Sequence, residues 1–308
     1  MVLEGNHYPD DQIEALVSLL GERYQLRESQ VMITAGSTEM LSLLGHEVAL
    51  RGKSVLMSED SFPTLAIFAE RQGARIHRVP IRPDYRIDLE GMKKAVDADT
   101  GLIFLCNPNN PTSTDHDPNE LLAFVEQVPE NVLVCVDEAY IQYSRKGESG
   151  SLVEHVSSMP NLVVLRTFSK AFGLAGMRIG YSYGPVELMH KLRQSHLGFN
   201  MANSRVAVAA AREALKSNDH IDMVIKKNNA GRKIVYDAFA NWGVGYGESA
   251  TNFIYAQSDR FETDVRRKLR KDGIMITQWP GMTDHIRISI GKPSWMQTFV
   301  DAIEQYLV

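Results

Sequence analysis

The 308-residue sequence is poor in cysteine: it holds two, and both sit inside apolar runs, Cys106 at the end of LIFLC and Cys135 within VLVCV. Runs of this kind read as buried strands, so the pair reads as small core thiols and not as a disulfide or a metal pair. Basic residues are not in excess either. With 33 Lys and Arg against 38 Asp and Glu the net charge is −5, which argues against nucleic acid as a partner. Nine histidines show no His-x-x-x-His pair or clustered ligand spacing, so no metal site is expected. No apolar run approaches the length of a membrane span and no charged-then-apolar leader opens the chain, which predicts a soluble, reduced, cytoplasmic protein with no membrane partner. Nucleotide loops are missing too. Gly52-Lys53-Ser54 has Glu47 where a phosphate loop needs its first glycine, and Gly243-Val244-Gly245-Tyr246-Gly247-Glu248 lacks a third glycine at the right offset.

What remains is an ordinary globular composition, 44% hydrophobic and 23% charged, long enough for a large core or two unequal domains. One stretch stands apart. Residues Thr167 to Tyr181 read TFSKAFGLAGMRIGY and follow the β-forming run Leu162 to Leu165. Lys170 and Arg178 could be plain surface charge, but they are embedded among Phe168, Phe172, Leu174, Met177 and Ile179. A lysine buried in such a setting needs a partner or a chemical task, and a Schiff base with an aldehyde is one such task. The hydroxyls of Thr167 and Ser169 with the guanidinium of Arg178 suit a phosphate, which arginine binds in a planar fork. Aldehyde plus phosphate describes pyridoxal 5′-phosphate.

This segment resembles that of the fold type I pyridoxal-phosphate aminotransferases, class I/II, and within them the histidinol-phosphate aminotransferase group. The resemblance implies that Lys170 forms the Schiff base with the cofactor aldehyde and that Thr167, Ser169 and Arg178 hold its phosphate. It extends along the chain in family order from Tyr8 to the C-terminus. Tyr8, in Asn6-His7-Tyr8-Pro9, matches a tyrosine that reaches the cofactor phosphate from the partner subunit. Upstream of it the family carries an arm that this sequence starts too late to contain. Ser37 and Thr38, after the strand Val31 to Thr34 and Gly36, open a helix to about Leu50; a plain helix cap is the alternative, and the resemblance moves both to the phosphate. Phe62 occupies the place of an aromatic stacked on the pyridine ring. Asn110, in Asn107-Pro108-Asn109-Asn110-Pro111-Thr112, matches the donor to ring oxygen O3′, although Ser113 stands where the family has glycine.

Asp137 caps the apolar strand Asn131 to Val136, at a strand end of the kind where open α/β sheets bind ligands. The resemblance makes it the partner of the pyridine nitrogen, with Tyr140 in reach of O3′. Arg287, in His285-Ile286-Arg287-Ile288-Ser289-Ile290-Gly291, resembles the arginine that grips the substrate carboxylate or an equivalent anion. Thr277 stands where the histidinol-phosphate group has a second arginine that helps to bind the substrate phosphate.

Repeated strand and helix units predict an α/β fold with a mainly parallel sheet covered on both faces. The resemblance makes it a seven-stranded sheet in a large cofactor-binding domain, residues 1–218, followed by a bridging helix and a smaller C-terminal α+β domain, residues 219–308. Short strands are expected near 243–246, 252–255, 274–277 and 285–290, with helices at 261–272 and 294–307. The implied activity is ping-pong transamination between an amino donor and a 2-oxo acid, with Lys170 as the base and Asp137 and Tyr140 as further catalytic residues, in a homodimer. A decarboxylase of the same family, resembling threonine-phosphate decarboxylase, and a non-catalytic cofactor-binding relative are the alternatives.

Overall fold

The computed structural model describes residues 6–195, 202–278 and 282–308. The chain begins α1 (Asp10–Arg23), β1 (Val31–Thr34), α2 (Ser37–Leu50), β2 (Ser54–Ser58), α3 (Thr64–Arg71), β3 (Ile76–Val79), α4 (Leu89–Ala95) and β4 (Thr100–Cys106). It continues α5 (Pro118–Val125), β5 (Leu133–Asp137), β6 (Leu162–Thr167), β7 (Gly180–Tyr183), α6 (Val186–Ser195) and α7 (Arg205–Ala214). The last part is α8 (Asn218–Trp242), β8 (Phe253–Gln257), α9 (Val265–Lys271), β9 (His285–Ser289) and α10 (Pro293–Glu304).

Strands β1 to β7 form one sheet in the order β1-β7-β6-β5-β4-β2-β3. Only β7 runs against its neighbours, so the sheet is the mainly parallel seven-stranded one expected. The central strands are apolar through their middle because both of their faces are covered. Ile103, Leu105, Val134, Val136 and Val164 point into one core, closed by α1, α4, α5 and α7. Their alternating neighbours Leu102, Phe104, Cys135, Val163 and Leu165 point into the other, closed by α2, α3 and α6. This period of two with apolar residues on both sides is what a buried parallel strand requires. Cys106 and Cys135 are buried free thiols, as read.

A third core draws on residues from Ile234 onward. Here α8 lies along α10, and Gly231 lets the helix approach closely: a Cβ at that position would sit 2.9 Å from the Gly291 carbonyl oxygen. The sheet is smaller than expected. β8 and β9 pair antiparallel, whereas 243–246 and 274–277 contribute single bridges, Tyr246 to Ala256 and Thr277 to Arg287. Both segments follow a helix end at a glycine with positive φ, Gly243 and Gly273, and only one residue of each bridges to the sheet.

Parallel strands β4, β5 and β6 all end on the same edge. At that edge Cys106 pairs with Asp137, and Asp137 with Leu165, so the loops that follow the three strands emerge side by side.

Candidate active site

Asp137 is the last residue of β5 and is 2% exposed. Its carboxylate accepts from the Ala139 N–H at 3.1 Å. Burial pushes its pKa up to about 6, against the opposing pull of that N–H and of Lys170. Lys170 lies in the turn that follows β6. Burial lowers its amine below the ordinary value; Asp137 opposes this, and Arg287 and Arg178 add to it. Its Nζ stands 5.2 Å from the centre of the Tyr140 ring. Tyr140 is buried and packs edge-on against Phe253 at 5.1 Å, and burial pushes its phenol well up.

The loop after β4 places Asn110. Asn109 anchors it, accepting from the Ser61 hydroxyl at 2.8 Å and donating to the Asp60 carbonyl at 2.7 Å and the Thr112 hydroxyl at 2.8 Å. These bonds tie the loop to the segment that carries Phe62. Asn110 accepts from Arg287 Nη1 at 2.8 Å, which joins the C-terminal sheet to the end of β4. The Arg287 guanidinium lies 4.6 Å from the centre of the Phe253 ring, within cation–π range, and burial lowers its pKa with Tyr140 acting the other way.

The remaining wall is built where β1 turns into α2. Gly36 precedes the helix at φ 77°, and no side chain caps the helix N-terminus. The plain-cap alternative for Ser37 and Thr38 therefore does not describe this helix. The Arg178 guanidinium lies against Gly36: a Cβ there would sit 2.6 Å from Nη2. Arg178 itself adopts the left-handed region at φ 51° and donates to the Ala175 carbonyl at 3.0 Å. A bulky residue at positive φ is uncommon and marks a turn that the surroundings hold in place. Next to it, the Thr167 hydroxyl donates to Ser169 Oγ at 2.9 Å and accepts from the Ser169 N–H.

Ser37, Thr38, Phe62, Asn110, Asp137, Tyr140, Thr167, Ser169, Lys170 and Arg178 thus surround a single cavity of ≈ 140 Å³. Arg287 stands beside it through Asn110. Tyr8 does not reach it within one chain: its side chain is 70% exposed, and its carbonyl accepts from Arg205 at 2.8 Å. Cys106, read from the sequence as a core thiol, also lines the cavity, as do Ala139 and Ala175, and none of the three was read as a site residue. Small or apolar residues at a strand end carry no chemical signature of their own. Among the described residues no group of three or more His, Cys, Asp or Glu side chains could hold a metal ion, and no helix is long and apolar enough to cross a membrane.

The donor set divides by chemistry. Four hydroxyls, those of Ser37, Thr38, Thr167 and Ser169, and the Arg178 guanidinium line the cavity with the N-terminus of α2, an arrangement that suits a phosphate. An amine with a lowered pKa and a buried carboxylate line the same cavity, which suits an aldehyde and a protonated ring nitrogen. Because Gly36 has no Cβ, the Arg178 guanidinium can lie directly against the chain at the start of α2. The residues present fit pyridoxal phosphate.

Comparison with known proteins agrees in extent and kind. The sequence profile of the family described as aminotransferase class I and II matches residues 4–303. Histidinol-phosphate aminotransferase 2 of Carboxydothermus hydrogenoformans is 32% identical over 305 residues, covering 98% of this chain and 83% of that protein. The histidinol-phosphate aminotransferase of Bacillus velezensis is 34% identical over 302 residues, covering 97% and 83%. Among solved structures, histidinol-phosphate aminotransferase from Sinorhizobium meliloti in complex with pyridoxal 5′-phosphate superposes with a TM-score of 0.88 at 28% identity, over 99% of this chain and 83% of that one.

Proposed function

The chain belongs to the class I and II aminotransferase family, and from that premise we propose how its own residues carry out transamination between an amino donor and a 2-oxo acid with pyridoxal 5′-phosphate. The observation that carries the assignment is Lys170 facing the same cavity as Asp137, with the hydroxyls and Arg178 lining it too. Bound there, the cofactor supplies an electron sink conjugated to the donor's α-carbon.

Ser37, Thr38, Thr167, Ser169 and Arg178 hold the phosphate, Phe62 covers one face of the ring, and Asn110 and Tyr140 bind O3′. Asp137 keeps a proton on the ring nitrogen, and its ionised form gains a cationic partner when the site fills. Lys170 Nζ would hold the cofactor aldehyde, and the same amine is the base that would move the proton from the donor's α-carbon. Its lowered pKa enlarges the neutral fraction needed for that step. Arg287 would orient the donor through its carboxylate or an equivalent anion, and so select which bond at the α-carbon is broken.

A donor of the histidinol-phosphate type is the reading that the relatives' names support. The enzyme is proposed to act as a homodimer in which Tyr8 reaches the phosphate of the partner's site.

The deciding experiment is the visible absorption spectrum of the protein with pyridoxal phosphate, titrated with amino donors including histidinol phosphate. Transamination predicts that the band of the lysine-bound cofactor gives way to that of the amine form, with a 2-oxo product and no CO₂. Lys170→Ala should abolish the band and cut the rate by roughly 10²–10⁴-fold or more. Retained turnover in that variant overturns the mechanism, and release of CO₂ would establish the decarboxylase instead.

A further inference from the structure

Behind the cavity, on the opposite face of the sheet, lies a charged group that the reaction does not use. Arg166 on β6 is 1% exposed. Its Nε donates to Glu138 at 2.7 Å, its Nη1 to Glu148 at 3.0 Å and its Nη2 to the Tyr24 hydroxyl at 3.4 Å. Glu138, also 1% exposed, is saturated by the Ser151 hydroxyl at 2.7 Å and the Leu152 N–H at 2.8 Å. Glu148 is held by Gln142 and by Tyr24; burial alone would raise its pKa, but Arg166 and these bonds bring it down to about 2.

Stability is a poor explanation for such a cluster. Taking an ion pair out of water costs about as much as the pairing returns, and apolar side chains of similar volume commonly do as well or better. Its place in the chain suggests another reason. Glu138 directly follows Asp137, and Arg166 directly precedes Thr167 and stands four residues before Lys170. Strand pairing ends here, with the Glu138 N–H donating to the Leu165 carbonyl at 2.9 Å. Beyond that bond the Arg166–Glu138 pair ties together the two strand ends from which the carboxylate and the lysine turn emerge. Side chains alternate along a strand, so the pair grips the sheet from the far side while Asp137 and the turn face the cavity. Arg166 also neutralises the carboxylate adjacent in sequence to Asp137, leaving Asp137 as the site's own negative charge.

We propose that Arg166 is a positioning residue for transamination, locking the ends of β5 and β6 through Glu138 so that Asp137 and Lys170 address one bound cofactor. The inference rests on the site assignment made above. It is tested with Arg166→Met/Glu138→Gln made in a Glu148→Gln background, so that neither carboxylate that faces the guanidinium is left without its cation, assayed against that background as its parent and beside Lys170→Ala in the cofactor-loaded protein. Misplacement of catalytic groups by about an ångström costs roughly 100-fold in rate. The double variant should therefore keep the parent's thermal midpoint, shift the absorption maximum of the lysine-bound cofactor and lose roughly 100-fold in kcat, with the donor KM within about threefold of the parent. Parent-like kcat and spectrum at unchanged stability overturn it. If the double variant does not fold, Arg166→Lys decides: it keeps the charge but loses the fork, and a parent-like kcat and spectrum there overturn the proposal as well. Lys170→Ala separates the two levels of the argument, because a band that survives that change removes the site assignment itself, whereas a lost band with an unaffected double variant removes only the role of Arg166.

Discussion

Asp137 pays for its position in the cofactor-free protein. Its ordinary pKa of 3.8 rises to about 6 on burial, so the folded chain binds that proton more tightly than the unfolded one. The stability this carboxyl contributes is full below pH 3.8 and is lost as the pH climbs through 6. Asp137→Asn removes the charge but keeps the shape, and the cofactor-free variant should be more stable than the parent at pH 7 by on the order of 3 kcal/mol, with the gap closing towards pH 4. Urea unfolding at the two pH values measures it, and equal stability at pH 7 would mean that the carboxylate is compensated in the empty site. The same variant should slow α-proton transfer by orders of magnitude, because the ring nitrogen loses its anionic partner. Asp137, Lys170 and Arg178 were legible in the sequence because each is a charge set in apolar text. Glu138 and Arg166 stand in the same text and were passed over, since their partner Glu148 lies in a polar stretch that gives no sign of a buried pair. Gly36 gave its turn away, but not the guanidinium pressed against it.

At the scale of elements, β9 carries Arg287, the residue proposed above to orient the donor. Arg287 pairs with Tyr255 across β8 and β9 and bridges to Thr277 through two backbone bonds, Thr277 N–H to Arg287 O at 2.9 Å and the return bond at 2.8 Å. Residues directly opposite in an antiparallel pair share a face, so Thr277 presents a hydroxyl beside the guanidinium. Thr277→Arg would add a second cation on that face. If the donor carries a phosphate, its KM should fall roughly tenfold in this variant, from one added charge-assisted bond, with a carboxylate-only donor unaffected. An equal response from both donors would show that this face does not meet the distal group. The elements themselves were read unevenly. Strands β4, β5 and β6 announce themselves as unbroken apolar runs because both faces are covered. β7 was missed because Gly-Tyr-Ser-Tyr is short and half polar, and its partners β1 and β6 alone make it a strand. The expected strands at 243–246 and 274–277 have the right residue types, but helix-ending glycines precede them and leave one bridge each. The proposed division near residue 218 falls where α8 begins, and the third core lies wholly beyond it.

For the whole molecule, the proposed homodimer makes a definite claim about which chain completes which site. Arg205 holds Tyr8 by its carbonyl and pairs with Asp11 at 2.9 Å, fixing the start of α1, while Tyr8 is exposed and does not line its own chain's cavity. A tyrosine placed in this way serves the phosphate only if it crosses to a second copy. Tyr8→Phe should then weaken cofactor binding by roughly 10-fold or more, the worth of one hydrogen bond to a charged group. That loss alone would not tell whose site was affected. Mixing does: Tyr8→Phe chains retain Lys170, and Lys170→Ala chains retain Tyr8. If Tyr8 acts across the interface, a hybrid dimer has one site with both groups intact, so mixing the two impaired proteins restores tight cofactor binding and turnover at that site. If it acts within its own chain, every site in the hybrid lacks one group and mixing restores nothing. Sedimentation of the parent as a monomer that holds the cofactor fully would remove the crossing altogether.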